Sequence, residues 1–432
     1  MFMSNLKEIS TSPLIRSSFI YVFCEGVNKA IPFLLLPFIT HYLTPADYGV
    51  VTNFNVYVQI ISVFCYLSTA GALPVMFHKL EKKDVRLYVS NMILLNTYAT
   101  VASSIIALCL SGIIDKSLNL PSIFQLYAII TVWFTSITNI NMILWRCEEK
   151  PFKFGFYQIS QTALNAFSTI VFVIIMLLGW QGRVYSMMFA TIVFGIISLG
   201  ILYKRGYLSF TVSKEYVRST LFYALPIIPH ALSFWFRSGA DKIMLTEMCG
   251  LSENGLYSVA MTWGAIVTMF LTSFNNAYAP YLYKKLSFFD KDRKGTLVEQ
   301  KHLVRLIWRS IFFLFFFVII AFLISALLIK LMYDSSYYGS LIFLPFVMIA
   351  QFFSGCYLMF VCFIHYTFKT KCLGMITFSL SLFQIGMSFL LIKCIGAVGA
   401  AISSAIVEAI IFLLIAQYAM KVYKLPWFAF RN

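Results

Sequence analysis

Six ionisable residues interrupt the long apolar stretches of this sequence. Charged groups inside a bilayer are costly and usually face a protein interior or a water-filled cavity, so each is a candidate functional residue. Cations in such a place suit a phosphate or diphosphate, and carboxylates suit a transported ion. All six lie in the first, seventh or last apolar segment: Glu25, Lys29, Arg237, Asp241, Lys242 and Glu408.

The spacing of these residues leaves two interpretations open. Glu25 and Lys29 are four residues apart, as are Arg237 and Asp241, so each pair shares one helix face. In the first interpretation, the pairs neutralise each other inside a helix bundle. In the second, three cations line a wet cavity and bind a diphosphate: Lys29, Arg237 and Lys242. The candidate carriers of a coupled proton or sodium ion are then the carboxylates Glu25, Asp241 and Glu408.

Helix-bending and amide residues accompany the charges. Proline and glycine lie near them in both segments, at Gly26, Pro32, Pro37, Pro226, Pro229 and Gly239. Interrupted helices in corresponding places of two halves are typical of transporter binding sites. The second and eighth segments add five amides, which could bond sugar hydroxyls or equally bond between helices: Asn53, Asn55, Gln59, Asn275 and Asn276.

The elements that must position these residues are membrane helices. Of the 432 residues, 60% are hydrophobic and only 12% are charged, and the mean hydropathy is +0.83. Apolar runs of roughly 20 residues match the length of a bilayer-spanning helix. Twelve such runs predict an all-α polytopic membrane protein, near 17–40, 50–70, 88–112, 122–145, 156–178, 184–203, 220–245, 256–279, 306–329, 341–366, 374–392 and 399–420.

Lysine and arginine set the expected orientation. Loops on one side of the twelve spans, with both termini, hold 26 of these residues, and loops on the other side hold 4. Basic residues concentrate on the cytoplasmic side, so both termini are expected there. The same distribution explains the net charge of +16 without a nucleic-acid partner.

The chain also repeats itself. Gly49 and Gly255 each follow the first span of a half and lie 206 residues apart, and Pro74 and Pro280 keep that offset. We therefore expect a six-helix lobe at 1–203, a cytoplasmic linker at 204–219 and a second six-helix lobe at 220–432. Two lobes of equal orientation with a central cavity between them are typical of a transporter.

No catalytic signature accompanies this layout. The sequence has no phosphate-binding G-x-x-x-x-G-K-[ST] loop, its five histidines are scattered, and its nine cysteines show no metal-ligand spacing. The loops predicted outside the membrane are about ten residues or shorter. We therefore expect no enzyme activity, no catalytic residue and no metal site.

One motif supports a family resemblance. Residues 43–49 read LTPADYG and close the first span. With two six-span halves, this resembles the polysaccharide-transporter branch of the multidrug/oligosaccharidyl-lipid/polysaccharide exporters, and the layout is similar to that of an O-antigen flippase of the Wzx type. The resemblance implies that undecaprenyl-diphosphate-linked oligosaccharide moves from the cytoplasmic to the periplasmic leaflet of the bacterial inner membrane, by alternating access, during O-antigen and lipopolysaccharide biosynthesis.

The resemblance also implies the site and the partners. Lys29, Arg237 and Lys242 lie where such transporters have a cationic cavity. The expected partners are the lipid-linked oligosaccharide, membrane lipids and other proteins of polysaccharide assembly. No cofactor is expected beyond a coupled H⁺ or Na⁺.

Two alternatives remain. A cation-coupled drug exporter of the same superfamily would have the same layout. A membrane enzyme such as an O-antigen polymerase fits less well, because such enzymes carry a long outer loop with catalytic residues. A major-facilitator transporter is disfavoured because the second loop, 77–89, lacks the glycine-rich motif of that group.

Overall fold

The computed structural model describes residues 13–67, 69–209, 211–292 and 296–427, and this part of the chain contains helices and no strand. The first helices are α1 (Pro13–Thr40), α2 (Pro45–Tyr66), α3 (Leu73–Lys79), α4 (Lys82–Cys109), α5 (Ser111–Leu118), α6 (Ser122–Cys147), α7 (Pro151–Thr169), α8 (Gly179–Lys204) and α9 (Lys214–Ala224). A π-helical turn, Ile170–Ile175, continues α7. After a 3₁₀ turn at Leu225–Ile227 follow α10 (Ile228–Cys249), α11 (Leu251–Lys291), α12 (Leu297–Met332), α13 (Ser340–Tyr366), α14 (Thr370–Ile395) and α15 (Val398–Val422).

The helices have the dimensions of membrane spans. Within the described residues, eleven are long and apolar enough to cross a bilayer, so the predicted all-α polytopic membrane protein is confirmed. Helix α10 is not one of the eleven, because Arg237, Asp241 and Lys242 lie in its middle. The count of twelve spans and the cytoplasmic position of both termini stay predictions.

The chain forms two compact units, which meet in the sequence between Trp235 and Phe236. The segment predicted as a linker, 204–219, packs on α4 of the first unit. There the Ser90 hydroxyl donates to Ser209 O, and Asn91 Oδ1 accepts from Ser213 N at 2.8 Å. The division into six-helix lobes at 1–203 and 220–432 stays a prediction.

The LTPADYG segment begins α2. Thr44 is the N-cap, and its hydroxyl oxygen accepts from Asp47 N at 3.1 Å. Asp47 Oδ2 accepts in return from Thr44 N at 3.0 Å, and Pro45 occupies the first helical position. This reciprocal cap satisfies two backbone donors, and losing such a cap costs about 1 kcal/mol. The motif therefore fixes where the second membrane helix begins.

Close helix approach holds the first unit together. Its core packs Tyr88, Val89 and Met92 of α4 against Ile140 and Leu144 of α6. Gly195 of α8 lies against Phe134 of α6, where an added Cβ would clash with the phenyl ring. The hydrophobic effect gives little attraction between helices in lipid, so dispersion contacts must hold them together. Small residues at such crossings allow the close approach that these contacts need.

The second unit packs α13 against α11, α12 and α15. Gly264 of α11 leaves room for Val347 of α13, whose Cγ1 would lie 2.6 Å from an added Cβ. Ala401 and Ala405 of α15 are buried. The small side chains bring α15 close to its neighbours, and Glu408 on the same helix is thereby brought into contact with α10.

Candidate functional site

The four charged residues that the sequence places within membrane segments of the second unit lie on α10 and α15, and Gln384 of α14 contacts the α10 part of this cluster. The guanidinium Nη2 of Arg237 donates to Glu408 Oε1. The Arg237 side chain is 27% exposed and the Glu408 side chain 15%. Arg237 is therefore paired with the last helix, and not with Asp241, which follows it by one turn on its own helix.

Asp241 is the most deeply buried member of this cluster, with 2% exposure. Its Oδ2 accepts from Gln384 Nε2 at 3.1 Å, and Gln384 also donates to Arg237 O at 3.5 Å. Its Oδ1 is buried and has no hydrogen-bond partner within the described residues, because the nearby Ser388 hydroxyl donates instead to Ser403 Oγ at 2.9 Å. A buried carboxylate with one unsatisfied oxygen is costly to keep ionised, so this position is able to take up a proton or a small cation.

Lys242 completes the cluster. It is half-buried, and within the described part of the chain it makes no ion pair. It directly follows Asp241 in α10. The four charged side chains of the cluster are two cations and two carboxylates, so they balance formally: Arg237, Lys242, Asp241 and Glu408.

In the first unit, Glu25 pairs with a residue of another helix and not with Lys29 of its own helix. Its Oε1 accepts from Arg146 Nη2 of α6 at 3.3 Å, and the two side chains are 40% and 53% exposed. An ion pair this exposed contributes at most about 1 kcal/mol. Lys29 is exposed and makes no ion pair within the described residues. The intrahelical pairing of Glu25 with Lys29, one of the two interpretations of the spacing, is therefore not formed.

With this geometry established, comparison with known proteins supplies the family. The profile of a family described as polysaccharide biosynthesis protein matches residues 14–285, more than half of the chain. The chain belongs to that family. The resemblance predicted from LTPADYG and the helix layout is thus confirmed at the level of the family.

Two Haemophilus influenzae proteins are similar to this member of the polysaccharide biosynthesis family. One is a protein of the Lsg locus, 26% identical over 66% of this chain and 69% of its own length. The other is an uncharacterized membrane protein, 24% identical over 63% of this chain and 66% of its own length.

Solved structures show the fold of this family member. The lipid II flippase MurJ in an inward closed conformation superposes with a TM-score of 0.68, at 14% identity, over 94% of this chain and 87% of MurJ. An inward-facing MATE family multidrug transporter of the MOP superfamily superposes with a TM-score of 0.65, at 14% identity, over 91% and 94% of the two chains. The polysaccharide biosynthesis protein therefore has the MurJ and MATE fold.

The predicted amides of this family member lie in different environments. Asn53 is fully buried and its Nδ2 donates to Leu118 O at 2.7 Å, so it joins α2 to the end of α5. Asn275 is half-buried and its Oδ1 accepts from the Cys362 thiol at 3.4 Å. Asn55 is half-buried, whereas Gln59 and Asn276 are exposed. A role of these amides in binding sugar stays a prediction.

Sequence reasoning missed a polar cluster around Arg183, which it placed in an outer loop. Arg183 lies in the second turn of α8, and its Nη1 donates to Asn165 Oδ1 at 2.6 Å and to Thr169 Oγ1 at 2.8 Å. Both acceptors belong to α7, immediately before the π-helical turn. Their i, i+4 spacing puts Asn165 and Thr169 on one face of α7, and this was a signal that could have identified the cluster.

A second missed cluster surrounds Asp290 at the end of α11. Its Oδ2 accepts from the Tyr366 hydroxyl at 2.7 Å, and its Oδ1 accepts from the Tyr423 hydroxyl at 2.9 Å. Tyr366 ends α13 and Tyr423 directly follows α15. The single carboxylate therefore ties three helix ends together.

Proposed function

We propose that this protein is a flippase that moves an undecaprenyl-diphosphate-linked oligosaccharide, such as an O-antigen repeat unit, from the cytoplasmic to the periplasmic leaflet of a bacterial inner membrane. One observation carries the proposal: a chain of the polysaccharide biosynthesis family consists almost wholly of membrane helices in the fold of MurJ, which is described as a lipid II flippase. Polysaccharide assembly in membranes needs lipid-linked intermediates to change leaflet, and such a step requires no bond chemistry.

Arg237 and Lys242 are the proposed ligands of the diphosphate. They are cations inside an apolar helix, and charge-assisted bonds from Arg or Lys to phosphate are strong. Glu408 already occupies the guanidinium of Arg237. Substrate and Glu408 therefore compete for the charge of one guanidinium, and Glu408 is the proposed group that displaces the diphosphate when it is released.

Asp241 is the proposed carrier of a coupled ion. Its buried Oδ1 has no partner in the described residues, so protonation or Na⁺ binding would satisfy it. Uptake of that ion on the periplasmic side, after the substrate has left, would stabilise the empty site for its return. Glu25, paired with Arg146 at an exposed position, is less suited to this role. Lys29 stays a candidate diphosphate ligand in the first unit.

Flipping in liposomes tests the proposal. Purified protein is reconstituted with a fluorescent undecaprenyl-diphosphate oligosaccharide, and leaflet exchange is timed by quenching from outside. We expect protein-dependent exchange that falls at least about tenfold in Arg237→Gln/Lys242→Gln, since two charged contacts are lost. Lys330→Gln, which removes an exposed cation at the end of α12, is the matched control. Exchange no faster than in empty vesicles, for several glycans, would refute the flippase.

The MATE fold and the buried Asp241 favour one second candidate, a cation-coupled exporter of small molecules. The same vesicles decide between the two. Cationic drug uptake driven by an H⁺ or Na⁺ gradient, without flipping of any lipid-linked glycan, would establish the exporter.

A further inference from the structure

Helix α9 has two different faces. Tyr216, Thr220 and Tyr223 face other residues of the same unit. Tyr216 packs edge-on against Tyr88, the Thr220 hydroxyl donates to the Tyr88 hydroxyl at 3.0 Å, and the Tyr223 hydroxyl lies against Gly71. The opposite face is exposed in the part of the chain that the structure describes. Phe222 there is 85% exposed, so the helix is held firmly on one side and open on the other.

The uncovered face forms a groove with an apolar floor and a cationic rim. The groove has a volume of about 430 Å³ and is lined by Val212, Lys214, Val217, Arg218, Leu221, Phe222 and Leu225. Lys214 and Arg218 are exposed and four residues apart, so their charged ends lie on the same side, one turn from each other. Neither makes an ion pair within the described residues. Glu215, the acidic neighbour, does not line the groove.

We infer that this groove is a docking site for a polyprenyl diphosphate, with the diphosphate on Lys214 and Arg218 and the first isoprene units on Leu221, Phe222 and Leu225. This inference rests on the proposed function and adds to it a second lipid site, separate from Arg237 and Lys242. Lys214 and Arg218 belong to the loop that the distribution of basic residues predicts to be cytoplasmic, which is the leaflet where such a substrate is made available.

Charge and shape favour this lipid over an ordinary phospholipid. Two cations one helical turn apart complement the two phosphates of a diphosphate, whereas a phosphodiester head group brings one charge. A single groove beside those cations suits one isoprenoid chain, whereas a phospholipid brings two acyl chains. A free anion would use the rim but leave the apolar floor uncovered.

Binding measurements on the full-length protein in zwitterionic nanodiscs test the site. The probe is undecaprenyl diphosphate without sugar, competed by inorganic diphosphate and, separately, by phosphatidylglycerol. We expect Lys214→Gln/Arg218→Gln to weaken probe binding at this site by about tenfold or more. Lys421→Gln/Lys424→Gln makes the same charge change at exposed, predicted cytoplasmic positions at and just after the end of α15, and this variant should bind the probe as the unaltered protein does.

Phe222→Ser tests the contribution of the isoprenoid tail to binding separately from that of the diphosphate. It should weaken binding of the lipid probe but leave the affinity for inorganic diphosphate unchanged, because the phosphate contacts remain. Unaltered probe binding in both α9 variants would overturn the inference. Displacement of the probe by phosphatidylglycerol at equal concentration would also overturn it, by showing a general anionic-lipid surface.

Flipping by the same variants distinguishes this inference from the proposed function. Weaker docking should raise the substrate concentration that gives half-maximal flipping and leave the rate at saturation unchanged. Normal flipping at all concentrations in Lys214→Gln/Arg218→Gln would reject the α9 site and leave the flippase intact. No flipping by the unaltered protein would reject the flippase itself.

Discussion

At the scale of single residues, the pairing of Arg237 with Glu408 sets the chemistry of the second unit. In the proposed site, a phosphate that binds Arg237 competes with Glu408 for the charge of the guanidinium. The affinity for substrate would then be the difference between two charge-assisted interactions, and a change at Glu408 would alter it. Asp241 adds a second carboxylate that is buried and only half satisfied.

Glu408→Gln should bind the diphosphate more tightly and release it more slowly, because the competing charge is removed while an oxygen acceptor remains. We expect a lower half-saturating substrate concentration together with a lower maximal flipping rate, each by roughly three- to tenfold, as one weakened charged contact allows. Flipping kinetics in liposomes measure both quantities.

The control for this substitution is Glu299→Gln, at an exposed position in α12. Glu408→Gln with higher half-saturation would mean that Glu408 orients Arg237 for the substrate, contrary to the competition proposed here.

Asp241→Asn should uncouple transport from the ion gradient. Asparagine keeps the shape of the side chain and can accept the hydrogen bond from Gln384, so the fold should persist, whereas the site that takes up the ion is lost. We expect flipping rates that no longer respond to an imposed H⁺ or Na⁺ gradient. Parallel assays with each gradient, and with both collapsed, provide the measurement.

Asp115→Asn, at an exposed position in α5, is the matched control and should respond to the gradients as the unaltered protein does. If Asp241→Asn keeps its full gradient response, the ion is carried elsewhere.

At the scale of secondary-structure elements, Arg183 connects α7 and α8. Three neutral oxygens accept from one guanidinium nitrogen, those of Asn165, Thr169 and, at 3.3 Å, Ser186. The ammonium of a lysine lies one bond nearer the backbone than an arginine Nη, so lysine would not place its donors at the position of Nη1.

Arg183→Lys should therefore lower the free energy of unfolding by roughly 1–3 kcal/mol even though the charge is kept. Combined with Asn165→Ala, it should show a coupling energy of about 1 kcal/mol in a double-mutant cycle. Unfolding of the detergent-solubilised protein, followed by circular dichroism, measures both. Arg309→Lys, at an exposed position of α12, should have no effect; additive effects of the two α7–α8 substitutions would show that the bond is not made.

Hydropathy predicted the helices well, because burial in lipid requires apolar residues over the whole length of a span. The sequence predicted ion-pair partners poorly. Spacing along one helix suggested Arg237 with Asp241, but the structure pairs Arg237 with Glu408, 171 residues further along the chain. Ion pairs between helices depend on which faces pack together, and one sequence carries no direct record of that. Arg183 was missed for a related reason: the apolar window began one residue after it.

At the scale of the whole molecule, native cysteines can test the predicted orientation. All nine are free thiols where the structure describes them. Cys109 ends α4 and Cys394 lies near the end of α14; both are exposed and are predicted to face the periplasm. Cys372, near the start of α14, is predicted to face the cytoplasm.

A membrane-impermeant maleimide added to spheroplasts should therefore label Cys109 and Cys394 but leave Cys372 unlabelled until the membrane is permeabilised. Peptide mass spectrometry identifies the labelled thiols, and Cys109→Ala/Cys394→Ala provides the blank. Labelling of Cys372 alone from outside would reverse the predicted topology.

The Asp290 contact has a mechanical consequence. The Asp290 carboxylate accepts hydrogen bonds from Tyr366, which ends α13, and from Tyr423, which follows α15. These bonds link three helix ends, which we expect to move together. We therefore expect any bending of this unit to occur where a backbone hydrogen bond is missing. Pro280 of α11 and Pro345 of α13 are two such points, and both lie away from the linked ends along the same helices. In the second unit, the linked helix ends at Asp290 are thus expected to move together, and α11 and α13 are expected to bend at Pro280 and Pro345.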